Sequence, residues 1–142
     1  MAESSQHPSD YPKTAACACG ALSVSVAAPP VMVHACACLD CQRRTGSAFS
    51  CTAFFSEAAA SVNGDFRSWR RTAQSGRSNE ASFCPECGCS VFFRLEGLPN
   101  LIGVGVGSFA DPAFDKPATF YWSARRHAWL APPANMALFD TQ

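Results

Sequence analysis

The arrangement of cysteines near the middle of the chain constrains this protein more than any other feature. Cys36, Cys38 and Cys41 lie within six residues, so three thiols share one short segment. A soft metal ion is the usual reason for such a repeat, because zinc binds thiolate sulfur at about 2.3 Å in a tetrahedral site. A structural zinc site is closed by four protein ligands, whereas a catalytic site keeps one position open. The segment supplies three ligands and leaves the fourth position undecided.

The complete set of cysteines favours metal binding over disulfide bonds. The chain has nine, at positions 17, 19, 36, 38, 41, 51, 84, 87 and 89. An odd number in a chain without an export signal does not suit a disulfide framework. Residues 1–14 are polar and lack the apolar region of a signal peptide, and no apolar run approaches the roughly 20 residues of a membrane helix. We therefore expect a cytoplasmic protein with no membrane partner and with reduced thiols.

Charge and length limit the partners and the number of domains. Lys+Arg and Asp+Glu both number 11, so the composition predicts no basic surface and no nucleic-acid partner. A chain of 142 residues suits one domain with one core. We predict a loose tail at residues 1–14, a zinc-binding β domain at residues 15–135 and a C-terminal tail at residues 136–142.

Short alternating segments separated by Gly and Pro predict an all-β domain. Leu22, Val24 and Val26 alternate with serines in one such segment. Residues 43–47 and 74–79 are polar and predict a turn and a loop. Asn63-Gly64 predicts a hairpin, because a type I′ turn needs positive φ at its central residues.

A row of glycines marks another predicted strand, at residues 101–109. Gly103, Gly105 and Gly107 alternate there with apolar residues, so they share one face. Bare glycines on one face of a strand indicate either the close approach of another backbone or a set of bulges.

A second metal site is predicted from two cysteine pairs that lie far apart in the chain. Cys17 and Cys19 form one pair, and Cys84 and Cys87 form the other. Together they provide a closed set of four thiolates that would staple a small β domain. Other partitions are possible by spacing alone: Cys89 competes with Cys87, and Cys51 is a further candidate for the central site.

These motifs together resemble the glutathione-dependent formaldehyde-activating enzyme family, which also includes centromere protein V. The motifs are the CxCG segment that begins at Cys17, the segment 36–44 followed by Thr-Gly-Ser-Ala-Phe, Gly64-Asp65, and the Phe-Cys-x-x-Cys-Gly segment 83–88. The similarity extends over residues 16–129. It implies a β-tent fold with two zinc ions and S-(hydroxymethyl)glutathione synthase activity, a carbon–sulfur lyase type of reaction.

The resemblance also implies roles for the two cysteine sets. It implies that Cys17, Cys19, Cys84 and Cys87 hold a structural zinc, and that Cys36, Cys38 and Cys41 hold the catalytic zinc. Three thiolates give Zn²⁺ a formal charge of −1, which makes it a weak Lewis acid suited to a soft, exchangeable ligand such as a thiol.

Three further residues are candidates for substrate contacts. Arg43 and Arg44 could bind the carboxylates of glutathione, because the guanidinium fork matches a carboxylate; otherwise they form a solvated turn. His34 could carry a proton, or it merely packs in its strand. The three tryptophans are interpreted as core or pocket wall.

The sequence therefore predicts an enzyme that acts on the adduct of a small thiol with an aldehyde, with glutathione and formaldehyde as the expected pair. One alternative is a zinc-stabilised binding module or thiol sensor without catalysis. Another is a nucleic-acid or cytoskeletal binder, against which the balanced charge argues.

Overall fold

Two β-sheets, packed face to face, form the protein. The computed structural model describes residues 10–73 and 76–142. In chain order its strands are β1 (Lys13–Ala16), β2 (Ser23–Val26), β3 (Met32–Cys36), β4 (Ser50–Ser56), β5 (Ala60–Asn63), β6 (Arg67–Thr72), β7 (Ser78–Phe83), β8 (Ser90–Leu95), β9 (Leu101–Gly105), β10 (Thr119–Tyr121) and β11 (Ala137–Leu138). Helix α1 (Leu39–Thr45) follows β3, and short 3-10 turns cover Glu57–Ala59, Val106–Phe109 and Ser123–Arg125. The all-β prediction is confirmed.

The small sheet has the order β1-β2-β5, and the large sheet has the order β11-β10-β3-β4-β9-β8-β7-β6. Strand β10 pairs in parallel with both β3 and β11, whereas the other pairs are antiparallel. No helix in the described part of the chain is both long and apolar enough to cross a membrane.

The main core fills the space between the sheets. Leu22, Val24 and Val26 project from the small sheet and are fully buried. They belong to one cluster with Phe55 and Phe92 of the large sheet. Because side chains alternate along a strand, the other residues of the large sheet face away from this core. That second face of the large sheet carries the cleft described in the next subsection.

The hairpin predicted at Asn63-Gly64 is wrong. Strand β5 pairs with β2 in the small sheet, whereas β6 pairs with β7 in the large sheet, so the chain crosses between sheets at this point. Gly64 has a φ of 101°, and a Cβ there would collide with the carbonyl oxygen of Ala21. The positive φ therefore serves a close passage of two backbones instead of a tight turn between paired strands.

Two polar segments differ from the prediction. The turn expected at residues 43–47 is largely the end of α1. The helix continues to Thr45 and is capped by Gly46, which has a φ of 66°. The loop expected at residues 74–79 includes the first two residues of β7, while residues 74–75 lie outside the described residues. Polar side chains are tolerated in β7 because they pair with β6 and β8 at the partly exposed end of the sheet.

The glycines of β9 accommodate side chains, not a second backbone. A Cβ on Gly103 would lie 2.8 Å from Cε1 of Phe54 and 3.0 Å from Cγ2 of Thr52. The strand ends at Gly105, and the following residues form a 3-10 turn. The bare backbone of β9 thus leaves room for the side chains of β4 on the cleft face.

The sheets also include positions that the sequence assigned to tails. Strand β1 begins at Lys13, and β11 pairs in parallel with β10. The first nine residues of the predicted N-terminal tail lie outside the described residues.

Candidate metal centres and the adjoining cleft

The central cysteine cluster lies where β3 passes into α1. Cys36 ends the strand, Cys38 is the N-cap of the helix, and Cys41 is in its first turn. The three sulfur atoms lie within 4.8 Å of one another. The Cys38 sulfur accepts a hydrogen bond from the Cys41 N–H at 3.3 Å, which is the capping role that Ser or Asp more often fills. One short helix therefore both orders the segment and gathers its thiols.

Side chains of α1 fix the helix to the protein around it. The Gln42 amide donates to the carbonyl of Ala37 at 2.9 Å and to that of Arg125 at 3.1 Å. The Thr45 hydroxyl donates to the carbonyl of Cys41 at 2.8 Å. The bond to Arg125 ties the helix to a distant segment, whereas the other two stabilise the segment that carries the cluster.

The central thiols have strongly unequal proton affinities. Hydrogen bonds from the Cys36 and Cys38 thiols lower the pKa of Cys41, and the Ser50 hydroxyl and the Arg44 guanidinium lower it further. Hydrogen bonds with Cys38 and Cys41 raise the pKa of Cys36, and burial of its thiol raises it further. The cluster thus stabilises a negative charge on sulfur, as a metal site requires.

The central cluster faces a cleft of about 550 Å³ on the outer face of the large sheet. This volume lies within the range of small-molecule sites. Beside the cluster are His34 and Ser50, on neighbouring strands. The remaining wall combines charged, polar and apolar side chains, and its aromatic rings are Phe54, Trp69, Phe93, Tyr121 and Trp122.

The outer cluster joins the two sheets. Cys17 and Cys19 follow β1, and Cys84 and Cys87 lie between β7 and β8. Their four sulfur atoms lie within 4.8 Å of one another, and the Cys17–Cys19 and Cys19–Cys84 sulfur pairs are 3.7 Å apart. A tetrahedral ion with metal–sulfur bonds of 2.3 Å needs an edge of about 3.8 Å. The four sulfurs therefore suit one tetrahedral metal ion.

Backbone N–H groups prepare the outer sulfurs for a negative charge. The Leu22 N–H donates to the Cys17 sulfur at 3.2 Å, and it is the main cause of the lowered pKa of Cys17. N–H groups of Cys89 and Cys19 lower the pKa of Cys87 to about 6. Cys89 thus supports this cluster through its backbone and through a hydrogen bond from its thiol to Cys87, although its sulfur is not one of the four that converge.

The candidate substrate residues divide into two groups. His34 and Arg44 line the cleft, whereas Arg43 is exposed and is not among the described residues that line it. The Arg44 guanidinium lies 4.3 Å from the centre of the Phe93 ring. His34 is buried between Phe54 and Tyr121, with ring centres at 4.9 and 5.2 Å, and burial lowers its pKa.

Cys51 lies apart from the central cluster. It is on β4 and packs against the core between the sheets, on the face opposite to Ser50 and Thr52. Burial raises the pKa of its thiol to about 11, so the group stays protonated. Its surroundings are those of a small apolar side chain.

The sequence did not indicate several residues of the cleft. Asp40 of α1 pairs with Arg71 of β6 at 3.1 Å, although four strands separate β3 from β6 in the large sheet. Tyr121 lies beside Cys36 through the parallel pairing of β10 with β3. Only the curvature and strand order of the sheet bring these residues together, so no local motif could have predicted them.

Comparison with known proteins agrees with this arrangement. The family model of the glutathione-dependent formaldehyde-activating enzyme matches residues 12–125, which include both cysteine clusters. The chain belongs to this family. A crystal structure of a protein from Rhodobacter sphaeroides has the same fold, with a TM-score of 0.53 and 22% identity; the match covers 67% of this chain and 85% of that one. No curated protein matches the chain.

Proposed function

We propose that this family member forms and cleaves the carbon–sulfur bond of a thiol–aldehyde adduct, with glutathione and formaldehyde as the pair that the family description names. The observation that carries the proposal is the contrast between the cysteine sets. Four sulfurs converge in the outer cluster, whereas three converge in the central cluster, which faces the cleft. Three ligands and an open side are typical of a catalytic metal site.

We assign zinc to both clusters, since each offers only thiol donors. The outer zinc is structural and the central zinc is catalytic. When bound by Cys36, Cys38 and Cys41, a zinc ion supplies a position for one further sulfur ligand and lowers the pKa of a thiol there.

Arg44 is the residue that anchors the thiol substrate in this proposal. Its guanidinium lies on the Phe93 ring and within electrostatic reach of Cys41, so a carboxylate bound to it places the substrate near the cluster. Stacking on an aromatic ring leaves the N–H edge of a guanidinium available for such a carboxylate. Ser50 and His34 line the cleft beside Cys36, and we assign them to proton transfer at the aldehyde oxygen.

The experiment compares Arg44→Ala with Arg43→Ala. Exchange of ¹³C-formaldehyde between its free form and its glutathione adduct is measured by NMR. The wild-type protein and Arg43→Ala accelerate the exchange, whereas Arg44→Ala needs roughly tenfold more glutathione for the same rate, because a charge-assisted hydrogen bond is lost.

Two other results would contradict the proposal. Equal losses in Arg43→Ala and Arg44→Ala would show that the cleft is not where the thiol binds. A wild-type protein that binds glutathione without accelerating exchange would be a binding module instead of an enzyme.

A further inference from the structure

An unbroken apolar stripe crosses six strands on the cleft face of the large sheet. Each of its residues lies directly opposite the next in the strand register. Its members, from β3 to β6, are Met32, Phe54, Gly103, Phe93, Ala81 and Trp69. The rows on either side are mixed or polar: one contains His34 and Thr52, and the other contains Arg71 and Asn79.

Gly103, in the middle of the stripe, has no side chain. A side chain at this position would meet the Phe54 ring at 2.8 Å, so the ring occupies the space over the bare backbone. The Phe54 ring thus forms this part of the cleft floor, where a larger residue on β9 would have displaced it.

Helix α1 brings the central cluster alongside this stripe. Arg44 covers Phe93 at 4.3 Å, and Asp40 reaches Arg71 beyond the stripe at 3.1 Å. A group attached to a sulfur at the central cluster therefore has the stripe beside it, with Arg44 over Phe93 and Arg71 at the margin for the anionic part of the same molecule.

The stripe is more extensive than a formaldehyde adduct can use. Trp69 retains 56% of its exposed surface at the far end, and all of the stripe residues except Gly103 line the cleft. In the middle of the stripe Phe54, Phe93 and Ala81 are at most 9% exposed, so the apolar surface that water still reaches is concentrated at its ends, above all at Trp69. The adduct of formaldehyde adds only one carbon and a hydroxyl to the sulfur, which leaves that surface uncovered. An alkyl or aryl substituent would cover it, and each methylene removed from water strengthens binding by about fourfold.

We propose that the cleft takes adducts of apolar aldehydes, with the alkyl or aryl substituent on the stripe and the carboxylates of the thiol at the arginines. This inference rests on the proposed function and extends its substrate class. In the reaction, the thiolate sulfur forms a bond to the carbonyl carbon, the carbonyl π electrons move to oxygen, and that oxygen takes a proton. The reverse step breaks the same carbon–sulfur bond, so no oxidant or reductant is needed.

The test uses S-methylglutathione and S-hexylglutathione, two stable thioethers that differ by five methylene groups. Binding to the full-length, metal-loaded protein is measured by calorimetry. We expect S-hexylglutathione to bind at least tenfold more tightly than S-methylglutathione. Trp69→Ala should shrink that ratio to less than half its wild-type value, whereas Trp129→Ala should preserve it, since Trp129 is 70% exposed and is not among the described residues that line the cleft.

Equal affinities of the two thioethers, together with accelerated formaldehyde exchange, would overturn the stripe inference and leave the proposed function intact. Binding of neither compound, together with no acceleration, would overturn both. A ratio that falls equally in Trp69→Ala and Trp129→Ala would place the hexyl group elsewhere and would also overturn the inference.

Discussion

The two cysteine clusters use the same side chain in two different structural settings. The outer cluster joins segments 65 residues apart and connects the small sheet to the large one. The central cluster lies within six residues at one helix end and faces the cleft. Loop-closure entropy rises with the logarithm of loop length, so a metal in the outer cluster restricts the unfolded chain by about 2 kcal/mol more than one in the central cluster.

In the proposed function, this difference separates stability from chemistry within one chain. Four sulfurs close the ligand set that spans the fold, and release of its metal ion would loosen both sheets. A ligand set confined to one helix end can leave a side open, because the fold does not depend on it to the same degree. Four predictions address this division.

Substitution in the outer cluster should have the largest effect. Cys84→Ser leaves three thiols for the ion and puts a hydroxyl at a fully buried position, and zinc contributes on the order of 10 kcal/mol to the folding of small zinc domains. We expect aggregation or loss of a cooperative melting transition in calorimetry. Cys89→Ser is the matched control in the same turn and should still melt cooperatively; a normal melt for Cys84→Ser would break the assignment.

Substitution in the central cluster should leave the fold intact. Cys38→Ser keeps a side chain that is a good N-cap, so α1 is retained while one sulfur is lost. We expect one zinc less per chain by elemental analysis, no acceleration of formaldehyde exchange and a melting transition that remains cooperative. Unfolding as complete as that of Cys84→Ser would refute the division of roles.

Removal of metal should proceed in two steps. A site with an open side gives a chelator direct access to the ion, whereas a site closed by four sulfurs must first lose a protein ligand. With a chromophoric chelator, we expect a fast release that abolishes exchange activity and a slow release that accompanies unfolding. A single release that coincides with unfolding would contradict this order.

Cys51 should matter least. It packs against the core and belongs to neither sulfur cluster, so Cys51→Ala removes one sulfur atom from a packed position and should lower the free energy of unfolding by about 1 kcal/mol. Zinc content and exchange activity should equal those of the wild type. Loss of zinc from this variant would instead make Cys51 a ligand of the central cluster.

Some errors of the sequence analysis came from signals that were present but short. Helix α1 has Asp40 in its first turn, Arg43 and Arg44 in its last turn and Gly46 at its end, which is the usual pattern of a helix. Its seven residues were too few for a clear hydrophobic period. The Asn63-Gly64 pair does contain a residue with positive φ, Gly64, but the strands on its two sides pair with different partners.

The sequence by itself determined the all-β class, the two cysteine sets and the family. Cysteines at short spacings can bind one metal ion whatever path the rest of the chain takes. Tertiary structure alone decided the cleft. Arg44 rather than Arg43 reaches it, Asp40 meets Arg71 across it, and six strands align the apolar stripe along its floor. These relations depend on strand order and register, which arise from packing between distant segments and leave no local pattern in the sequence.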